Sequence, residues 1–340
     1  MKKKSKQFRI GNKLVGENVP CFVIAEIGGN HGGKISLAYK MIDAAFEAGA
    51  DAVKFQTYIT EDFAVPSYPG YKNLEKEALS FDDFRKLAHY CHRKKVIFLS
   101  TPFDLKSVDL LAELNVPAYK VASGDINNFP LLEYIADQGK LIILSTGAST
   151  IKEVEQAVAF ILRKGQTGLA LLHCLASYPA PDREINLLLL PEYIKRFGVA
   201  VGFSDHSEGI DISLASAALG AKIIEKHFTI NKNLPGGDNS MSLLPDEFKR
   251  MVQGIRRIET SLGKPGKKVM PSERMVRKIA RRSLVALRDI SRGETFDLNN
   301  IGFKRPSSGL DPKYVLQFLS KSAKQSISKD KKLALRAVDK

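Results

Sequence analysis

The sequence predicts a (β/α)8 barrel followed by a small, mainly β domain, on three observations. Short β-rich runs alternate with amphipathic helical segments eight times between residues 20 and 262. Several of those runs are apolar throughout, as strands buried on both faces are. After residue 262 the alternation stops and turn signals take over. Strand–helix alternation of this kind implies right-handed βαβ units and a parallel sheet. Eight repeats in about 240 residues fit a closed barrel better than an open sheet.

The strands are expected at 20–27, 51–57, 96–100, 117–122, 140–145, 168–173, 199–203 and 222–228. Helical periodicity is clearest over 36–48, 82–93, 105–114, 150–163 and 209–219, with a last helix at 245–262. The barrel domain is therefore 1–262. A linker follows at 263–282, where Gly263, Pro265, Gly266 and Pro271 lead into a basic helix. Residues 283–340 form the second domain, with short β runs at 283–286, 300–303 and 332–335 separated by turns such as Arg292-Gly293 and Ser308-Gly309.

Length and composition agree with one large and one small globular domain, since 44% of the 340 residues are hydrophobic and 26% charged. No apolar run approaches the ~20 residues that cross a bilayer. The N-terminal segment MKKKSKQFRIGNKLVG has no apolar stretch behind its basic residues, so no signal peptide is expected. The expected compartment is the cytoplasm, without membrane association. Cys21, Cys91 and Cys174 lie far apart in apolar segments and read as buried free thiols. Cys174 and His173 are neighbours on a strand, point to opposite faces, and so do not make a nucleophile–base pair.

Most of the net charge of +15 sits at the C-terminal end, where residues 262–340 hold 20 Lys and Arg against 7 Asp and Glu. Such a field suits nucleic acid, an anionic membrane surface or small anions. No nucleic-acid-binding motif accompanies it, so a solvated surface is the simpler reading and no nucleic-acid partner is expected.

Function is read from where the polar residues fall. Strand after strand ends in a residue that a barrel core rejects: Glu26, Lys54 and Gln56, Ser100 and Thr101, Lys120 with Ser123, Ser145 and Thr146, His173, Ser204-Asp205-His206, and Glu225 with His227. The C-terminal strand ends form the active-site face of this fold. Lys54 and Lys120 inside a barrel mouth require anionic partners, because an unpaired buried ammonium is costly. The bland alternative is an internal salt bridge. With Thr101, Ser123 and the Ser145-Thr146-Gly147 turn before a helix, the lysines make a phosphate and carboxylate cradle. His206 and His227 end neighbouring strands and can converge on one cation. Two imidazoles suit Mn²⁺, Co²⁺, Fe²⁺ or Zn²⁺ better than Mg²⁺. Asp205 and Glu225 are candidates to orient them, and Asp238 lies on a Gly-rich loop able to fold over the mouth.

Seven ordered motifs carry a resemblance. AEIGGNHGG (25–33), VKFQTY (53–58), STPFD (100–104), YKVASGD (119–125), STGAS (145–149), GFSDHSEG (202–209), and IEKHFT (224–229) with PGGDNSMSL (235–243) resemble the sialic acid synthases. That family includes the N-acetylneuraminate, legionaminate, pseudaminate and spore-coat sugar enzymes. RRSLVA with FKRPSSGL (303–310) resembles its C-terminal antifreeze-like, or SAF, domain. The resemblance implies that Lys54, Thr101, Lys120, Ser123 and Ser204 bind phosphoenolpyruvate. It implies that Gln56, Asp125, Tyr178 and Asp238 contact the sugar, and that His206 and His227 bind Mn²⁺ or a similar ion such as Co²⁺ or Mg²⁺. Glu26 then lies at the reacting carbons, making Glu26, Lys54, Lys120, His206 and Asp238 the catalytic set. It further implies a domain-swapped homodimer in which Arg305 reaches the other chain's sugar. Ala176 stands where many members have a polar residue, and Asp125 where some have glutamate. HCLASYPAP and EKHFTINKNLPGGDNS are closer to the spore-coat branch.

The implied reaction joins phosphoenolpyruvate to an N-acylated hexosamine aldehyde, most simply N-acetylmannosamine. Two other classes compete: a different metal-dependent barrel aldolase or isomerase, which needs no anion cradle, and a polyanion-binding protein on an inactive barrel, which relies on the basic C-terminal region.

Overall fold

A computed structural model describes residues 7–165 and 168–338. The basic positions 1–6 and the last two residues of the C-terminal domain lie outside the described residues. The chain divides into two compact units after Gly263.

The first unit opens with an antiparallel hairpin, β1 (Gln7–Ile10) and β2 (Lys13–Gly16). The eight barrel strands follow: β3 (Phe22–Gly28), β4 (Ala52–Thr57), β5 (Ile97–Pro102), β6 (Ala118–Val121), β7 (Leu141–Ser145), β8 (Leu169–His173), β9 (Ala200–Asp205) and β10 (Ile223–His227). Each falls within two residues of a run expected from the sequence. The spatial order is β5-β4-β3-β10-β9-β8-β7-β6, and the paired neighbours are parallel. The two ends of this order, β5 and β6, lie side by side, although no ladder joins them among the described residues. The barrel is thus nearly closed, with one seam.

The crossover helices start where the sequence provides caps. Asp104 accepts from the Ser107 N–H ahead of helix Leu105–Glu113. Thr150 and Glu153 form a reciprocal capping box for helix Ile151–Arg163. Two crossover helices escaped the periodicity reading, Phe129–Asp137 and Leu189–Phe197. Both are only nine residues long. Each carried a signal nonetheless: Asn128 with Pro130 at the start of the first, and Gly198 in the left-handed conformation closing the second.

Alternation along the strands sorts the residues into two sets. Outward side chains such as Val23, Val53, Phe55, Tyr119 and Val201 pack against the helices in the larger core. Inward side chains near the N-terminal ends, including Phe22, Ile24, Leu99, Ile143, Leu172 and Ile223, fill the barrel floor. The β1–β2 hairpin, which the sequence reading missed, plugs this floor with Ile10 and Val15, both fully buried. Its Gly11-Asn12 turn between two short β runs was the signal. Gly202 is the interior position that tolerates no side chain: a Cβ there would lie 2.4 Å from the Ile223 carbonyl oxygen.

The second unit holds helix Glu273–Ala280 and the antiparallel pair β11 (Ser283–Ala286) and β12 (Ile301–Lys304). The third expected β run contributes one bridge, Val285 to Lys332, and then turns into a short 3-10 helix, Leu335–Ala337. Leu284, Ile290, Phe296, Ile301, Phe318 and Leu333 are among the residues that fill its own core.

The floor is remote in character from the polar mouth, and the two are separable by mutation. Ile10→Ala is expected to lower the unfolding free energy by about 2–4 kcal/mol, because it opens a cavity under the barrel. Urea denaturation measures this; substrate KM values are expected to stay unchanged.

Candidate active site

The inward series that is apolar on the floor becomes polar at the C-terminal ends of the same strands. Phe22 and Ile24 lead to Glu26, Ala52 to Lys54 and Gln56, Ala118 to Lys120, Ile143 to Ser145, and Ile223 to Glu225 and His227. These ends line one cavity together with Thr101, Phe103, Ser123, Tyr178, Ser204, His206 and Asp238. Of the thirteen residues to which the resemblance gives a catalytic, substrate or metal role, eleven line it: Glu26, Lys54, Gln56, Thr101, Lys120, Ser123, Tyr178, Ser204, His206, His227 and Asp238. Asp125 stands beside the cavity, bonded to Asn128 on a short 3-10 turn, and is not among the lining residues. Arg305 belongs to the second unit and is exposed.

Four residues named at strand ends turn out to face away from the cavity: Ser100, 2.7 Å from the Thr57 hydroxyl, Thr146, which the Tyr193 hydroxyl approaches at 3.4 Å, His173 and Asp205. His173 Nε2 donates to the Ile185 carbonyl at 2.7 Å, and its ring lies against Tyr193 and Phe203. Asp205 also faces outward and pairs with Lys226, so it does not touch either site histidine from within the cavity. The reason is the two-residue period of a strand, which puts Ser204 and His206 on one face and Asp205 on the other.

Charge at the mouth is arranged as an alternating series. Lys54 Nζ lies 2.7 Å from Glu26 Oε2 and 3.9 Å from Glu225 Oε2. Lys120 Nζ lies 3.9 Å from Glu225 Oε1, and donates to the Ser145 hydroxyl at 2.7 Å and the Val121 carbonyl at 3.1 Å. Ser204 donates to Glu225 at 2.9 Å. The lysines therefore meet carboxylates of the chain itself. Burial pulls the Lys54 ammonium down, but Glu225 and Glu26 outweigh it and hold the group above its ordinary range. For Lys120 burial prevails over Glu225 and the ammonium titrates below its ordinary range. Lys120 is thus the less satisfied cation and the stronger claimant for a further anion. Burial pushes the Glu26 carboxyl up to about 7 against the pull of Lys54.

Around Lys120 lies a tight corner. Ser123 Oγ accepts from the Gly147 N–H at 2.9 Å and sits 3.2 Å from Cys174 Sγ. A Cβ on Gly147 would lie 2.9 Å from Ser123 Oγ and 3.2 Å from the Ala176 methyl, so any larger residue would displace the Ser123 hydroxyl. At the start of the following helix Thr150 and Glu153 cap each other.

His206 and His227 converge, with ring centroids 5.4 Å apart. His206 Nδ1 donates to the Leu175 carbonyl at 2.6 Å, which leaves Nε2 as the bare nitrogen, 3.3 Å from Ser204 Oγ. His227 Nδ1 is buried without a hydrogen-bond partner, 3.6 Å from Asp238 Oδ2. Burial lowers the titration of both rings, His227 furthest, and so keeps both neutral at physiological pH. Two neutral imidazoles, one with an orphaned nitrogen, fit a divalent cation that accepts nitrogen donors. No group of three or more His, Cys, Asp or Glu side chains is arranged to hold a metal among the described residues.

Another side of the cavity is framed by aromatic and loop residues. Tyr178 lies over His206 at 4.2 Å between ring centroids, with Phe103 also lining the cavity. Asp238 is held in place by residues that the sequence reading did not use. Asn30 accepts from the Asp238 N–H at 2.7 Å and donates to the Phe228 carbonyl and Ser242. Glu77 accepts from the Gly237 N–H at 2.6 Å. Asn30 and Asp238 are too far apart in sequence for any local pattern to pair them, although both lie in motifs quoted above.

Residues 41–267 match the NeuB family, and residues 281–333 match the SAF domain. The chain belongs to the NeuB family. N,N'-diacetyllegionaminic acid synthase of Campylobacter jejuni is 40% identical over 324 residues, covering 91% of this chain and 97% of the relative. Spore coat polysaccharide biosynthesis protein SpsE of Bacillus subtilis is 42% identical over 337 residues, covering 90% of each. Among solved structures, N-acetylneuraminic acid (sialic acid) synthetase from Leptospira borgpetersenii, in complex with citrate, superposes with a TM-score of 0.76 at 37% identity. It covers 79% of this chain and 94% of that one. These NeuB-family relatives agree with the barrel and the SAF domain, and no helix among the described residues is long and apolar enough to cross a membrane.

The Glu26 environment is directly measurable. With ¹³C-labelled glutamate, one carboxyl resonance is expected to titrate near pH 7, far above an exposed glutamate, and to be missing from Glu26→Gln.

Proposed function

We propose that this chain condenses phosphoenolpyruvate with the open-chain form of an N-acylated amino sugar, yielding a nonulosonic acid of the sialic acid type and inorganic phosphate. The main support is the meeting of two buried ammonium groups and two neutral imidazoles in one cavity. The printed activities of the NeuB-family relatives point the same way.

In this reading Lys120, with Ser123, Ser145 and Ser204, takes an anionic end of phosphoenolpyruvate. Lys54 and Thr101, bonded at 3.2 Å, fix the other end. Gln56, Tyr178 and Asp238 contact the sugar, and Asp125 approaches it from beside the cavity. His206 and His227 hold a divalent cation, Mn²⁺ in the first instance and Co²⁺ or Mg²⁺ as substitutes. Such an ion supplies Lewis acidity at a substrate oxygen. C3 of phosphoenolpyruvate bonds to C1 of the aldehyde, water adds to C2, and the C2–O bond breaks as phosphate leaves. Glu26, close to neutral pH in its titration, moves a proton at the reacting centre. Binding both substrates in fixed orientation contributes several kcal/mol by proximity. The cytoplasm is the proposed compartment, in keeping with three free, buried cysteines.

Phosphate release from phosphoenolpyruvate and Mn²⁺, assayed across a panel of N-acylated amino sugars, tests the reaction. Exhaustive chelation is expected to abolish turnover, added Mn²⁺ to restore it, and His206→Ala to lower kcat at least ~100-fold. Full activity after chelation with both histidines replaced rules the cation out.

We also assign Arg305 to the sugar site of a second copy, in a domain-swapped homodimer. Arg305→Ala is expected to lower kcat/KM for the sugar ~10- to 150-fold, as for a lost charged hydrogen bond. Mixing the impaired His206→Ala and Arg305→Ala variants under subunit exchange is expected to raise activity above that of either alone, since one site of each heterodimer carries neither lesion. No recovery on mixing refutes the swap.

A further inference from the structure

Behind the two site histidines lies a buried ion pair that the mechanism does not use. Asp205 and Lys226 stand opposite each other on β9 and β10, face away from the cavity, and have no solvent exposure. Lys226 Nζ lies 3.0 Å from Asp205 Oδ2 and donates to the Ser207 carbonyl at 2.6 Å. Asp205 Oδ1 accepts from the Ser207 N–H at 2.9 Å and from its hydroxyl at 2.6 Å, while Oδ2 accepts from Ser213. Ser207 is therefore held by its N–H, its carbonyl and its side chain at once. Each member of the pair immediately precedes a site histidine in the chain.

Stability alone is a poor account of this arrangement. Removing two charges from water costs several kcal/mol each, and apolar side chains of similar volume fill such a site as well or better. What the pair does supply is direction. It fixes β9 against β10 on the outer face of the sheet, where Ser204 and Glu225 make the matching contact inside. His206 has a hydrogen bond of its own to set its ring, but the buried Nδ1 of His227 has none. The aim of His227 thus depends on where its backbone is held. We propose that the Asp205–Lys226 pair is a positioning device that fixes the ends of β9 and β10, so that the two imidazoles converge on one cation. This rests on reading His206 and His227 as cation ligands.

The test uses the full chain and measures Mn²⁺ binding by calorimetry alongside kinetics. Asp205→Asn combined with Lys226→Met removes both charges while keeping the volume. The double variant is expected to fold, to bind Mn²⁺ ~10- to 100-fold more weakly, as when partners behind a metal ligand are lost, and to keep its KM for phosphoenolpyruvate at saturating Mn²⁺. A folded double variant with wild-type Mn²⁺ affinity overturns the proposal. If it does not fold, Ser213→Ala, which leaves both charges in place, is expected to show a smaller loss of Mn²⁺ affinity, and an unchanged Kd overturns the proposal there. Wild-type Mn²⁺ binding that survives His206→Ala and His227→Ala overturns the cation reading itself, a result distinct from the behaviour of the double variant.

Discussion

The mouth of this barrel depends on one constraint: ammonium groups inside it must face carboxylates, because burial removes them from bulk solvent. Glu26, Lys54, Glu225 and Lys120 satisfy it as an alternating series drawn from four strands, β3, β4, β10 and β6. Each strand must therefore arrive in register for any of the charges to be tolerable. The series also ends unevenly. Lys54 is closely paired, whereas Lys120 has only a distant carboxylate and neutral hydroxyl and carbonyl partners. That imbalance leaves Lys120 as the cation that an incoming anion would complete, and Glu26, whose carboxyl titrates at about 7, stands in the same series.

Register in turn rests on the floor. The inward positions below the charges are filled by Phe22, Ile24, Leu172, Ile223 and their neighbours, and the β1–β2 hairpin seals them from beneath. Gly202 makes room where Leu172 and Ile223 already occupy the interior. A close-packed floor leaves little freedom for a strand to slide, and a slip of one residue would send every polar end outward. The same sheet is also tied on its outer surface, where Asp205 meets Lys226. Packing below, an inner polar contact and an outer ion pair thus bear on the same two strand ends that carry the imidazoles.

The alternation of β runs and helical segments determined the barrel, and the position of Lys54, Lys120, His206 and His227 at strand ends determined where the chemistry sits. Both are local properties, since strand period and burial leave direct marks in the order of residues. Parity along a strand was legible as well. It separates Ser204 and His206 from Asp205, and would have placed His173 outside, had facing been weighed together with strand-end position. Other features belonged to the tertiary structure alone. Only the assembled sheet brought Glu225 between two lysines, left the seam between β5 and β6, and set Asn30 under the loop that holds Asp238. These contacts join residues far apart in the chain, and their geometry follows from strand order and register, which no single segment encodes.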